Sequence, residues 1–250
     1  MNIATMMNGI TAGRPAFLAS VTSPEEARLA VSGGASIIDC KDPAKGALGD
    51  LQPAIIEAIA EAVAGRVPVS ATIGDLPSQA DVMVKAAQRV AATGVDIVKA
   101  GFFGDGDPRA AIAALGAADI GRAQRVAVMM ADRPLDLSVI ADLARAGFNG
   151  VMLDTADKAM GALPDVLTAR ALTAFLSAAR ANGLAVGLAG ALRTHHIASL
   201  VALQPDVIGF RGALCDGGRS GALSAERVAE VRRTLDRAVD ALQTSKRSVA

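Results

Sequence analysis

Short apolar runs alternate with longer amphipathic stretches along almost the whole chain. The short runs are AFLASV (16–21), SIIDCK (36–41), VPVSATIG (67–74), DIVKAG (96–101), RVAVMMAD (125–132), GVMLDTA (150–156), LAVGLAG (184–190) and DVIGFRG (206–212). They have strand length, and most are apolar at consecutive positions, the pattern of strands buried on both faces. Between them the apolar residues fall at helical spacing, as in SPEEARLAVSGG (23–34), QADVMVKAAQRVAATG (79–94), LDLSVIADLARAG (135–147) and LTARALTAFLSAARANG (167–183). Gly34, Gly94, Gly147 and Gly183 each stand between a helical stretch and the next strand, where a left-handed C-cap is needed. Ser23-Pro24-Glu25-Glu26 is a helix start: a hydroxyl N-cap, proline in the first turn and acids facing the dipole.

Eight strand–helix units predict an α/β fold with a parallel sheet covered by helices, and the count of eight favours a single-domain (β/α)8 TIM barrel over an open sheet. No G-x-G-x-x-G follows the first strand, which argues against a dinucleotide fold. No internal repeat, low-complexity segment or linker divides the chain. The expected layout is an N-terminal extension over 1–14, a barrel over 15–242 and a fraying tail over 243–250.

Composition narrows the function. The 250 residues carry 25 basic and 25 acidic side chains, so no global field attracts nucleic acid or an anionic membrane. All six aromatic residues are Phe, which leaves little to stack on bases. The N-terminus has no signal-peptide pattern, and no apolar run approaches the ~20 residues of a membrane helix. Cys40 and Cys215 match no metal-ligand spacing and read as inert thiols in a reducing compartment. A cytoplasmic protein is expected, without metal or organic cofactor.

In a barrel of this kind, functional groups gather at the C-terminal ends of the strands. Asp39 and Lys41 end the second run, Lys99 the fourth, Asp132 the fifth, Asp154 the sixth with Lys158 just beyond, and Arg211 the eighth. Alternation puts Asp39 and Lys41 on one face and Cys40 on the other. Taken alone, Asp39 and Lys41 could be a structural ion pair. Three lysines at one mouth cost Coulomb energy unless chemistry uses them, and a desolvated amine beside another cation can attack a carbonyl. The iminium so formed acidifies the neighbouring carbon, and a second lysine can serve as base. The loops LAGALRT (188–194) and FRGALCDGGRSG (210–221) suit a phosphate, with Gly190 and Gly212 giving backbone access and Arg193 and Arg211 adding charge. Neighbouring His195 and His196 cannot share a helix face and suit a surface or capping role. GFFGDGDP (101–108) could close over substrate or be an ordinary loop, and Met129 and Met130 read as barrel packing.

The motifs IIDCKDPAKGALG, SATIGD, IVKAG, MLDTADK, LAGAL and GFRGALC together resemble the (5-formylfuran-3-yl)methyl phosphate synthase family of methanofuran biosynthesis. The resemblance runs from about Phe17 to the final helix. It implies the barrel and a reaction joining two glyceraldehyde 3-phosphates into a phosphorylated furan aldehyde, with loss of one phosphate and two waters. It also implies roles: Lys41 as the Schiff-base lysine, Lys99 as the proton acceptor, and Asp39, Asp154 and Lys158 as further catalytic positions. ADRPLDL (131–137) is shorter than the archaeal pattern. The Ala- and Arg-rich composition points to a high-GC bacterium using a methanofuran analogue in one-carbon metabolism. The expected partner is a small phosphorylated aldehyde, and association into a homo-oligomer through the outer helices is anticipated. A class I aldolase for another sugar phosphate, or a non-catalytic barrel binding a phosphorylated metabolite, are the competing readings.

Overall fold

The computed structural model describes residues 14–249; the side chains of residues 158 and 246–249 lie outside the description. Eight parallel strands close on themselves in chain order, with β1 hydrogen-bonded to both β2 and β8. They are β1 (Ala16–Val21), β2 (Ile37–Cys40), β3 (Val69–Thr72), β4 (Ile97–Gly101), β5 (Gln124–Met130), β6 (Gly150–Asp154), β7 (Ala185–Leu188) and β8 (Val207–Phe210). Each expected run contains its strand, apart from β5, which starts one residue earlier. Several runs overshoot, because Lys41, Asp132 and Arg211 have already left the ladder at the mouth.

The connecting helices are α1 (Pro24–Ser32), α2 (Pro53–Val63), α3 (Ala80–Ala91), α4 (Pro108–Ala117), α5 (Val139–Arg145), the single turn α6 (Leu163–Val166), α7 (Ala169–Ala181), α8 (Ile197–Ala202) and α9 (Ala225–Val249). Ser23 caps α1 by accepting from the Glu26 N–H, as its sequence predicts. Gly34, Gly94, Gly147 and Gly183 all take positive φ after their helices. The last helix corrects the expected boundary at 242. It continues to Val249, because AERVAEVRRTLDRAVDALQTSKRSV holds no Gly or Pro to stop it. Arg14, placed in the extension by sequence, is tied to this helix through Asp236 and Asp240 at 2.6 and 2.7 Å; the rest of the expected extension lies outside the described residues.

Two apolar layers follow from strand alternation. The outer one, between strands and helices, includes Phe17, Ala19, Ile38, Cys40, Val98, Val151, Leu153 and Phe175. The inner one, inside the barrel, is built from Leu18, Ile37, Ile97, Val126, Val128, Met130, Met152 and Val207. Cys40 thus packs outward, and burial, aided by the Asp39 charge, pushes its thiol far above the ordinary range. Met130 fills the barrel interior, while Met129 packs against the outer layer. A Cβ at Gly187 would stand 2.4 Å from Met152 Cγ. The missing side chain lets Met152 cross beneath the mouth and form the floor of the space above it.

Candidate active site

Above that floor lies a cavity of about 240 Å³, lined by Ser20, Asp39, Lys41, Lys99, Met152 and Asp154, and by the loops after β7 and β8. Asp39 is fully buried. Register places it between Ser20 on β1 and Ser70 on β3, and both hydroxyls donate to its carboxylate, at 3.0 and 2.6 Å. Lys99 Nζ donates to the same carboxylate at 3.0 Å. Burial alone would raise the Asp39 pKa; Lys99, Lys41 and the Ser70 hydroxyl outweigh it and hold the group below the ordinary aspartate value. Ser20 and Ser70 were not singled out by sequence, since a serine in a strand carries no signal until its neighbours across the ladder are known.

Lys41 sits one residue past β2, and its Nζ donates to Asp154 Oδ2 at 3.2 Å. Desolvation opposes its charge, but Asp154 and Asp39 prevail, so its pKa lies above the ordinary lysine value. In the resting site Lys41 is therefore an ammonium. The two lysine–carboxylate pairs are both buried. Breaking such a pair by removing one partner costs about 3–5 kcal/mol, because the other charge is left unpaired in a low dielectric.

The structure gives the remaining expected residues different positions. Asp132 does not reach into the cavity; its carboxylate accepts from the Ala156 and Asp157 N–H groups at 2.8 and 2.6 Å and so sets the loop after β6. Lys158 opens a 3-10 turn, Lys158–Met160, in that loop. Arg211, expected to add charge for a phosphate, borders the cavity. Its guanidinium grips Glu26 of α1 and the carbonyls of Ser20, Arg219 and Gly221, so all five N–H donors are taken within the protein. Glu26 lies 185 positions away, and no local pattern announces that pairing.

Gly190 and Gly212 border the cavity with Arg193. Gly190 has φ +107 and would drive a Cβ to 3.0 Å from Thr155 Cγ2, so both conformation and space demand glycine there. Ala191 follows at φ +48. No acceptor among the described residues takes the N–H groups of Gly190, Ala191 and Leu192. Successive unpaired N–H groups beside residues of positive φ form a nest suited to an anion. Arg193 Nη1 donates to Gly212 O at 3.1 Å and links the β7 and β8 loops. His196 has the capping role expected of it, its Nδ1 accepting from the Arg193 N–H at 3.1 Å. The Asp107 end of GFFGDGDP caps α4, and Gly106 bridges to Ser78 in the loop after β3; the segment does not border the cavity.

Structure also reveals a repeat the sequence reading denied. After β2 the chain reads DCKDPAKGALGD (39–50), and after β6 it reads DTADKAMGALPD (154–165). Asp42 and Asp157 each cap a 3-10 turn by accepting from the N–H two residues on, at 2.9 and 2.8 Å. Gly46 and Gly161 each end that turn, at φ 111 and 110. The match was hidden because the lysines, the most conspicuous residues, occupy different positions in the two copies.

A closed eight-strand barrel whose mouth carries two buried lysine–carboxylate pairs beside an anion nest defines a barrel enzyme with a charged site at the strand C-termini. The chain belongs to the 4-HFC-P synthase family, whose model matches residues 17–232. It is 36% identical to the (5-formylfuran-3-yl)methyl phosphate synthase of Archaeoglobus fulgidus, over 86% of this chain and 96% of that one. A protein of Methylorubrum extorquens that carries the same name provisionally is 40% identical, over 96% and 97% of the two chains. Among solved structures, 3-hexulose-6-phosphate synthase from Salmonella typhimurium superposes with a TM-score of 0.66 at 18% identity, covering 89% of this chain and 99% of that one. At that identity the likeness speaks for the fold alone. No described helix is long and apolar enough to cross a membrane.

Proposed function

We propose that this chain is a (5-formylfuran-3-yl)methyl phosphate synthase that joins two molecules of glyceraldehyde 3-phosphate through a Schiff base on Lys41. The supporting observation is the convergence of Lys41–Asp154 and Lys99–Asp39 on one cavity that also opens on the Gly190–Leu192 nest. Phosphate in the nest, with Arg193 and the Gly212 backbone beside it, holds the aldehyde end toward the lysines.

Lys41 must first lose its proton, and Asp154, already its hydrogen-bond partner, is placed to receive it. The free amine adds to the aldehyde carbon, and water leaves to give the iminium, whose charge Asp154 offsets. Lys99 is the base that takes the proton from the adjacent carbon, with Asp39 orienting it. The C–H electrons become the enamine double bond. From there the nitrogen lone pair can push phosphate off the third carbon, or the enamine carbon can attack a second aldehyde. Loss of one phosphate and two waters from two trioses leaves the furan aldehyde phosphate. Lys158, in the loop copied from that after β2, is assigned a catalytic position by the family resemblance. Production of a furan precursor for methanofuran or a bacterial analogue, in the cytoplasm, follows from the same reading.

Borohydride reduction in the presence of glyceraldehyde 3-phosphate, followed by peptide mapping, tests this. The expected result is an adduct on Lys41 and a furan chromophore in the unreduced reaction. An aldol product without a furan would make the chain a class I aldolase instead, and no adduct on any lysine would end the Schiff-base mechanism.

A further inference from the structure

Arg219, in the loop after β8, escaped the sequence reading, yet it borders the cavity together with Lys41, Pro43, Arg193 and Gly212. Its Nη2 donates to two carbonyls of the loop that follows Lys41, Pro43 O and Gly46 O, both at 2.7 Å. Nε and Nη1 find no acceptor among the described residues, which leaves three donors of a rigid fork uncommitted. No carboxylate among the described residues pairs with this guanidinium, although its charge opposes the proton on Lys41. A half-buried cation beside two buried lysines, without a counter-anion, is unfavourable until an anion arrives.

Its neighbours fit the same conclusion. Arg211 Nε donates to Arg219 O at 3.0 Å, so the backbone is anchored by the residue that is itself locked on Glu26. A Cβ on Gly212 would fall 3.6 Å from Arg219 N and 3.7 Å from Arg193 Nη1. Gly212 thus lies between the Arg219 backbone and the Arg193 guanidinium, and all three border the cavity that the Gly190–Leu192 nest also lines.

We propose that Arg219 is a substrate-binding residue that takes the phosphate monoester of the aldehyde on its uncommitted donors while its other face holds the Lys41 loop. The proposal rests on the synthase reading for the identity of the aldehyde. One guanidinium then joins the two ends of the substrate's environment: the anion on one side and the loop carrying the nucleophile on the other. Arg211 stabilises the arrangement but does not bind the ligand.

Three variants and two readouts test it. Inorganic phosphate is titrated calorimetrically into wild type, Arg219→Gln and Arg219→Lys. Borohydride trapping rates are then compared for glyceraldehyde 3-phosphate and for glyceraldehyde. Arg219→Gln is expected to weaken phosphate binding and to reduce the preference for the phosphorylated aldehyde by about tenfold to a hundredfold, the effect of one charge-assisted pair. Arg219→Lys should lose less. Gly212→Val, which adds bulk beside the Arg219 backbone and Arg193 Nη1 and leaves the Pro43 and Gly46 carbonyls alone, should reproduce part of the lost preference. Unchanged phosphate affinity in Arg219→Gln, or equal loss of trapping for both aldehydes, would overturn the proposal and leave Arg219 as a loop tether. If wild type traps neither aldehyde, the synthase reading fails, while the phosphate titration still decides the role of Arg219.

Discussion

The loops after β2 and β6 are two copies of one scaffold put to different use. Both begin with a buried aspartate at a strand end, cap a 3-10 turn with a second aspartate, and leave it through a glycine at φ near +110. Each is also held by a carboxylate from a neighbouring strand's loop, from after β3 for the first copy and from after β5 for the second, at different positions of the scaffold. Asp75 accepts from the Ala47 and Leu48 N–H groups at 2.8 and 2.7 Å, near the end of the first copy, and Asp132 accepts from Ala156 and Asp157 at 2.8 and 2.6 Å, near the start of the second. What differs is the lysine. The first copy has Lys41 two residues after its aspartate, where the second has Ala156; the second has Lys158 where the first has Pro43. The scaffold fixes two carboxylates across the mouth, and side chains placed on it decide the chemistry. Asp39 pairs with a lysine from its own half of the barrel, and Asp154 with the lysine of the other copy.

The largest effect should come from removing the lysine that distinguishes the first loop. Lys41→Ala is expected to abolish both turnover and borohydride adduct, read by mass mapping. An adduct that moves to Lys158 would show that the second copy carries the nucleophile. Lys99→Ala should still trap substrate on Lys41 while turnover falls by roughly 10²–10⁴-fold, the usual contribution of a positioned base. Loss of trapping in that variant would place Lys99 in adduct formation itself.

Sequence disclosed these lysines well and their partners poorly. The apolar runs mark the strands because burial on both faces leaves few polar positions, and Lys41 and Lys99 stand out against that background. Ser20, Ser70 and Arg219 do not, because their meaning depends on what lies across the ladder or at the far side of the mouth. Arg211 reads as a ligand-binding cation because it stands just past β8 at the mouth; only the fold brings Glu26 to it. Similarly, the absence of breakers in the last helix was readable, but its packing through Val228, Val231, Leu235 and Val239 becomes evident only once the barrel is closed.

Next in size is a stability effect that separates the two aspartates by their surroundings. Asp39→Asn breaks an ion pair with no exposed partner, at a cost of about 3–5 kcal/mol in chemical denaturation. The Asp39 carboxylate has a depressed pKa, so its contribution is present above the unfolded aspartate value of about 3.9 and is lost as pH falls through the folded value. The stability gap between wild type and Asp39→Asn should therefore shrink in acid. A gap that is constant with pH would point to packing rather than charge.

The turn glycines offer a smaller contrast of about 1–3 kcal/mol each, the range for a residue forced into a rare backbone region. A Cβ at Gly46 would stand 2.0 Å from Asp75 Oδ2, whereas at Gly161 the nearest atom, Asp165 Oδ2, is 2.9 Å away. Gly46→Ala should cost more than Gly161→Ala, because it displaces the carboxylate that holds its own loop. Equal losses in thermal unfolding would mean that φ alone sets the cost.

The subtlest test reads the link between the copies through pH. Asp154 is the foremost group raising the Lys41 pKa against desolvation, so the wild-type rate of adduct formation should climb with pH as the ammonium loses its proton. Asp154→Asn removes that charge, and the rising limb should move toward lower pH even as the maximal rate falls. The direction is diagnostic: if Asp154 acted only as a spacer, the maximal rate would drop with the limb unmoved. A limb that stays in place would mean that Lys41 answers chiefly to Asp39, and that the pairing across the two loops is not what tunes this lysine.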